Sequence, residues 1–206
     1  MSGFVLTSDS LASPAVAGTL EYTSPAFFAT PIGTQRGIVP TQQYYRLNAA
    51  VVGADVSTAQ SMFGVGVTLS ASTVYEFEIL YAMSKTAGTT SHAVQLGFGG
   101  TATINNIAYS SDVQFSTTSF VSPNTRALIF PQSAAGVAPS AASANAAQYF
   151  IFLLKGTVSI NAGGTFIPQY TLSAAPGGAY STAIGSYIRI NPLSASGAAT
   201  NVGTWA

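Results

Sequence analysis

Two carboxylates stand two residues apart, Glu76 and Glu78. On a strand, positions i and i+2 share a face and lie about 7 Å apart. Glycoside hydrolysis asks its two carboxyl groups for a separation of roughly 5–9.5 Å across a cleft, so cleavage of a glycan is the reaction this pair could carry. The competing reading is a pair of solvated or ion-paired residues on a strand face. It is the favoured one, because spacing alone seldom identifies a site and no third partner is evident.

The rest of the chemical inventory is thin. His92 is the single histidine, and cysteine is absent. One imidazole without thiolates or nearby carboxylates does not assemble a zinc site, and no metal or cofactor is expected. A Ser–His–Asp arrangement can be drawn with Asp55 or Asp112, but so many serines are present that it has no specificity. His92 reads instead as an exposed or loop-anchoring residue. Gly97-Phe98-Gly99-Gly100 lacks the Gly-Lys-Ser/Thr of a phosphate-binding loop and reads as a turn or bulge. The basic residues Arg36, Arg46, Lys85, Arg126, Lys155 and Arg189 form no run. A basic groove for nucleic acid is therefore disfavoured. These residues are expected to pair with Glu21, Asp55, Glu76, Glu78 and Asp112, or to bridge subunits.

The elements that must position these side chains are strands. In Tyr75-Glu76-Phe77-Glu78-Ile79-Leu80-Tyr81-Ala82-Met83 the large apolar residues share one parity and both carboxylates the other. Residues 85–91 read as a hairpin loop and Ala93 to Phe98 as the returning strand. Further strands are expected over 19–29, 42–48, 64–69, 103–109, 126–130, 149–154, 157–161, 166–172 and 186–190. The segment 149–154 is apolar on both parities and reads as a central strand covered on both faces. Asn161-Ala162-Gly163-Gly164 and Pro176-Gly177-Gly178 are turns. No stretch sustains helical spacing: 133–147 is Ala-rich but broken by Gly136 and Pro139, and reads as a long loop with one short helical turn. Residues 57–63 could form another. Residues 1–18 lack alternation and read as an extended arm, leaving 19–206 as a single β domain.

Composition narrows the function. Charged residues make up 6% of the 206, against roughly 25% in ordinary soluble domains. A net charge of zero gives no electrostatic footprint for nucleic acid or an acidic membrane. A surface so poor in charge resists association weakly, which points to a protein whose surface is covered by copies of itself or by a larger assembly, and away from an enzyme. The N-terminal segment has no basic n-region, so export by a signal peptide is not expected. The densest apolar run, 149–154, is far shorter than the roughly 20 residues of a membrane helix. The adjacent aromatic pairs Phe27-Phe28, Tyr44-Tyr45 and Tyr149-Phe150 each send one ring inward and one outward on a strand, though for Tyr149-Phe150 burial of both rings between two sheets is at least as good a reading. Outward rings suit a protein interface or sugar stacking. Phe28, Tyr45 and Tyr187 are the expected subunit-interface residues, and Phe4, Val5 and Leu6 the expected anchor of the arm to a capsid or a neighbouring subunit.

Several stretches resemble a known group. Ala17-Gly18-Thr19-Leu20-Glu21-Tyr22, then Phe27-Phe28-Ala29-Thr30-Pro31 and Arg36-Gly37-Ile38-Val39-Pro40, are similar to the opening of a domain found in tailed-bacteriophage virion proteins. The stretch 73–100, Gly185-Ser186-Tyr187-Ile188-Arg189-Ile190 and the ending Gly203-Thr204-Trp205 also look like this group. The likeness spans most of 17–206 and has no catalytic content. Thr23-Ser24 departs from the Asp-Gly usual after Leu-Glu-Tyr, so the turn there differs in type. Long fibre proteins carry this domain at the end of a shaft, whereas here only a short arm precedes it.

The resemblance implies an antiparallel two-sheet jelly roll of the tumour-necrosis-factor type, assembled as a homotrimer. It implies a virion protein assembled in the host cytoplasm. The leading expectation is a non-enzymatic capsid decoration or short head-fibre protein whose partner is the major capsid protein. The alternative is a tail-fibre or receptor-binding component that contacts a host surface glycan or receptor. A glycan hydrolase built on Glu76 and Glu78 is the third and weakest reading. No nucleic-acid partner and no membrane insertion are expected.

Overall fold

The structure, a computed structural model, describes residues 3, 5–121, 125–197 and 199–205. Phe4 lies outside these. Among the described residues there is no helix, and every strand pairing is antiparallel. In chain order the strands are β1 (Thr19–Thr23), β2 (Ala26–Thr30), β3 (Gly37–Val39), β4 (Gln43–Arg46), β5 (Val51–Val52), β6 (Gln60–Ser61), β7 (Val67–Leu69) and β8 (Thr73–Lys85). They continue with β9 (Val94–Gly99), β10 (Thr103–Ser116), β11 (Thr125–Ile129), β12 (Gln148–Ala162), β13 (Gly164–Leu172), β14 (Ser181–Thr182) and β15 (Tyr187–Ala195).

Two sheets face each other as a jelly-roll sandwich. The larger runs β11-β10-β12-β8, and the free side of the long β8 is then shared. β15 pairs along Thr73 to Leu80 with β4 outside it, and β14 pairs at Met83 and Ser84 with β5 outside it. The smaller sheet is built on β13, with β9 on one side and β6 and β7 on the other.

The alternation in the sequence sets which face is buried. Tyr75, Phe77, Ile79, Tyr81 and Met83 of β8 are all buried, as are Phe150, Phe152 and Leu154 of β12. They meet Val94, Leu96 and Phe98 of β9 and Phe166, Tyr170 and Leu172 of β13 in one core. Rings join the two sheets directly: Phe77 packs on Phe98 at 5.3 Å and on Phe166 at 5.9 Å between centroids. Each side chain so buried stabilises the fold by about 1.5–3 kcal/mol relative to exposure.

Pro168 explains why the outer partner of β13 is split in two. It has no N–H to donate, and its carbonyl, which accepts from Met62 N, shows which side that missing donor faces. The ladder breaks there, between β7 opposite Gly164 to Phe166 and β6 opposite Gln169 and Tyr170.

Several expectations differ from what forms. Residues 19–29 are a hairpin, β1 and β2, that with β3 makes a separate three-stranded sheet. β9 is a strand, but it does not return along β8: it crosses the rim of the sandwich and pairs with β13. Lys85 holds that crossing, donating to the carbonyls of Ala87 and Gly88. Gly88, at φ +81°, lies against Pro176 to Gly178, where a Cβ would come within 2.3 Å of the Pro176 carbonyl oxygen. Segments 149–154 and 157–161 form the single strand β12, central in the sheet, with its outward side chains half-buried to exposed. Neither 57–63 nor 133–147 contains a helical turn; the latter loop instead joins β9 by a bridge Leu96–Val137 and the segment just before β9 by a bridge His92–Ser143.

The arm is not free along its whole length. Asp9 N donates to Tyr22 O, Ala12 N to Glu21 Oε1, and Arg36 to both Glu21 and the Ala12 carbonyl.

Candidate functional site

The outer face of the larger sheet gathers much of the chain's charge. Register places Lys155 opposite Glu78, Glu78 opposite Arg189, and Arg189 opposite Tyr44, so one rung of side chains crosses β12, β8, β15 and β4. The next rung carries Thr157, Glu76 and Asn191. Farther along the same face Arg126 pairs with Asp112 across β11 and β10.

Glu78 is the hub. Its Oε1 accepts from Tyr187 Oη at 2.7 Å, and its Oε2 pairs with Arg189 at 2.8 Å and Lys155 at 3.1 Å. Burial alone raises its pKa, but the hydrogen bonds from Tyr187, Arg189 and Lys155 outweigh this and bring it down to about 2. A carboxylate held ionised in this way cannot serve as a general acid near neutral pH. Glu76 is exposed, and no ion pair or hydrogen bond to it is found among the described residues. Glu78 is therefore ion-paired and Glu76 solvated, the arrangement expected of two residues on a strand face. A shallow depression of about 300 Å³ lies over them, walled by Pro40 and Gln42 on one side and Lys155 on the other. Beside it, Tyr44 is 54% exposed and stacks on Tyr187 at 5.5 Å.

His92 is buried and anchors a loop. Its Nδ1 lies 2.7 Å from the Thr90 carbonyl and its Nε2 2.7 Å from Tyr180 Oη, which bonds in turn to Gln148. Burial pushes the imidazole below its ordinary pKa. Asp55 accepts from Gly177 N and Asp112 holds Arg126, so neither completes a catalytic relay with His92. Next to this group the Lys85 ammonium is enclosed by the carbonyls of Ala87, Gly88, Asn145 and Ala146. Gln148 Nε2 donates to Ser143 and Asn145 carbonyls. Together these fasten the 133–147 loop to the sandwich. Lys85 gave no sequence signal beyond its parity, which matches the buried side of β8.

The expected contact residues are scattered. Phe28 is the inward ring of its pair, 6% exposed, while Phe27 is half-exposed and stacks on Tyr22. Tyr45 is exposed at the edge strand β4 and borders an apolar cleft of about 350 Å³ between β4 and β7, with Phe63, Val65 and Ile188. Tyr187 is half-buried under Tyr44. Val5 is 83% exposed and Leu6 half-buried. Gly97 and Gly99 lie within β9, and Gly97 lets the 133–147 loop approach: a Cβ there would sit 3.0 Å from the Ala134 carbonyl oxygen.

No protein-family model matches this chain, and no curated protein matches it. A chain from the structure of infectious bursal disease virus Gx strain is similar at 9% identity with a TM-score of 0.19, over 81% of this chain and 47%, under half, of that one. A likeness this faint carries no argument about fold or function.

Proposed function

We propose that this chain is a non-enzymatic structural protein of a tailed-bacteriophage virion, a capsid decoration or short head-fibre protein that works as a homotrimer on the particle surface. The observation that carries this reading is where charge is missing. None of β6, β7, β9 and β13, nor the 133–147 loop that pairs with the edge of β9, contains Asp, Glu, Lys or Arg. A whole sheet without charge meets another surface at little desolvation cost, and repeated weak contacts on a symmetric lattice add through multivalency. The first residues of the arm, ahead of the hydrogen bonds at Asp9, supply the anchor to the major capsid protein, with Val5 and Leu6 in it.

Antibody-gold labelling of intact virions tests the reading. Gold over the head is the expected result, and deletion of residues 1–7 is expected to remove it while the purified protein keeps its unfolding temperature. Absence of label from particles overturns the reading, and normal head occupancy by the truncated protein overturns the anchor. The second reading, a tail component that contacts the host surface, is favoured by one observation, the aromatic and polar platform around Tyr44 and Glu76. Gold at the tail is the result that selects it.

A further inference from the structure

We propose that the outer face of the larger sheet, between β12 and β4, binds a neutral sugar unit, with Tyr44 as the stacking surface and Glu76, Arg189 and Asn191 as its hydrogen-bonding groups. This deepens the second reading above and rests on it only for the biological source of the sugar. Binding itself is measured on purified protein.

Three features lead to this class of ligand. The first is an exposed ring beside the depression, at the register partner of Arg189. Tyr44 stacks on Tyr187, and Tyr187 is tethered through its hydroxyl to Glu78, so the platform is fixed before any ligand arrives. An aromatic face held this way offers apolar contact at low entropic cost, which suits the C–H face of a pyranose. The second is a set of donors and acceptors within one or two rungs of that ring. Glu76 and Asn191 are register partners, and Arg189 is the partner of Tyr44. Glu76 has both carboxylate oxygens open to accept from neighbouring hydroxyls. Arg189 spends Nη2 on Glu78 with its side chain 45% exposed, leaving further N–H donors in a fixed fork. The third is charge balance. Glu76 and Glu78 are matched by Lys155 and Arg189, so the depression favours neither an anionic nor a cationic ligand, and a polyhydroxyl compound is what such mixed polarity recognises.

Glu78 is the positioning residue. With both oxygens already engaged it holds Tyr187, Arg189 and Lys155 in place. Because it stays ionised, the site binds a glycan without the proton donation that cleavage requires.

The test uses the full chain and a panel of methyl glycosides of glucose, galactose, mannose and rhamnose, with galacturonate as the acidic comparison. Saturation-transfer NMR shows whether any binds, and titration calorimetry gives the affinity. At least one neutral glycoside is expected to bind, and Tyr44→Ala and Glu76→Gln are each expected to weaken it about tenfold or more. Arg126→Ala, far along the same face, is expected to leave binding unchanged. Absence of transfer to every neutral glycoside overturns the proposal. So does preference for galacturonate, or binding that both site variants retain in full. Unfolding temperatures of the variants separate lost binding from lost fold. Sugar binding by a protein that gold places on the head keeps the site and removes the tail reading; a tail protein that binds none of the panel does the reverse.

Discussion

At the scale of single residues, the consequential groups are those whose partners come from distant parts of the chain. The sequence placed Glu76 and Glu78 on one face, since alternation in β8 is unbroken. It could not say that Tyr187 and Arg189, more than a hundred residues away, would close on Glu78 and leave Glu76 open. That division makes a pH prediction. The folded pKa of Glu78 is depressed to about 2, so its contribution to stability is complete above the ordinary carboxylate pKa near 4.5 and fades as pH falls from there toward 2. Its cationic partners are substantially exposed, and screening reduces the effect to about 1–2 kcal/mol. Glu78→Gln is expected to lower the urea-unfolding free energy by that amount at neutral pH, with the difference from the parent chain shrinking below pH 4.5. A difference that stays constant between pH 7 and pH 3 would show that charge is not its source.

At the scale of elements, strands whose pattern is local were legible and pairings were not. The alternation of β8 and the apolar stretch of β13 announce themselves in the sequence. The returning strand after Lys85 was the natural guess, because a short loop with a glycine usually closes a hairpin. What diverts it is non-local: the Lys85 ammonium and the packing of Gly88 on 176–178 carry the chain across to β13. Segments 149–154 and 157–161, expected as two strands, are one 15-residue strand, β12, with Gly156 inside it. There the glycine permits close approach, since a Cβ would come within 2.3 Å of the Ala108 carbonyl oxygen and 2.5 Å of Tyr109 Cβ, both on β10. Gly156→Ala must therefore push β10 and β12 apart at mid-ladder. Thermal unfolding is expected to report a loss of about 1–3 kcal/mol. An unchanged midpoint would mean that the ladder accommodates a methyl group at that position.

At the scale of the whole molecule, charge is distributed by sheet. The larger sheet has its ion pairs on its outer face, while the strands of the smaller sheet and the 133–147 loop at the edge of β9 have no charged residue. The sequence disclosed the scarcity of charge but not this segregation, which depends on which strands share a sheet. Two unlike faces on one body predict that the neutral one is where copies meet. A single charge placed there would have to be desolvated in the assembly without a partner, at a cost of several kcal/mol. The same charge on the outer face of the larger sheet stays hydrated. Thr171 lies half-buried on β13, opposite Gln95, and points away from the core; Gln114 points outward from β10, opposite Arg126. Light scattering at micromolar concentration is expected to give a trimer for the parent chain and for Gln114→Glu. Thr171→Glu is expected to give a folded monomer. A monomeric parent overturns the trimer, and a trimeric Thr171→Glu moves the contact off the neutral sheet, to the apolar edges at β4 and β11.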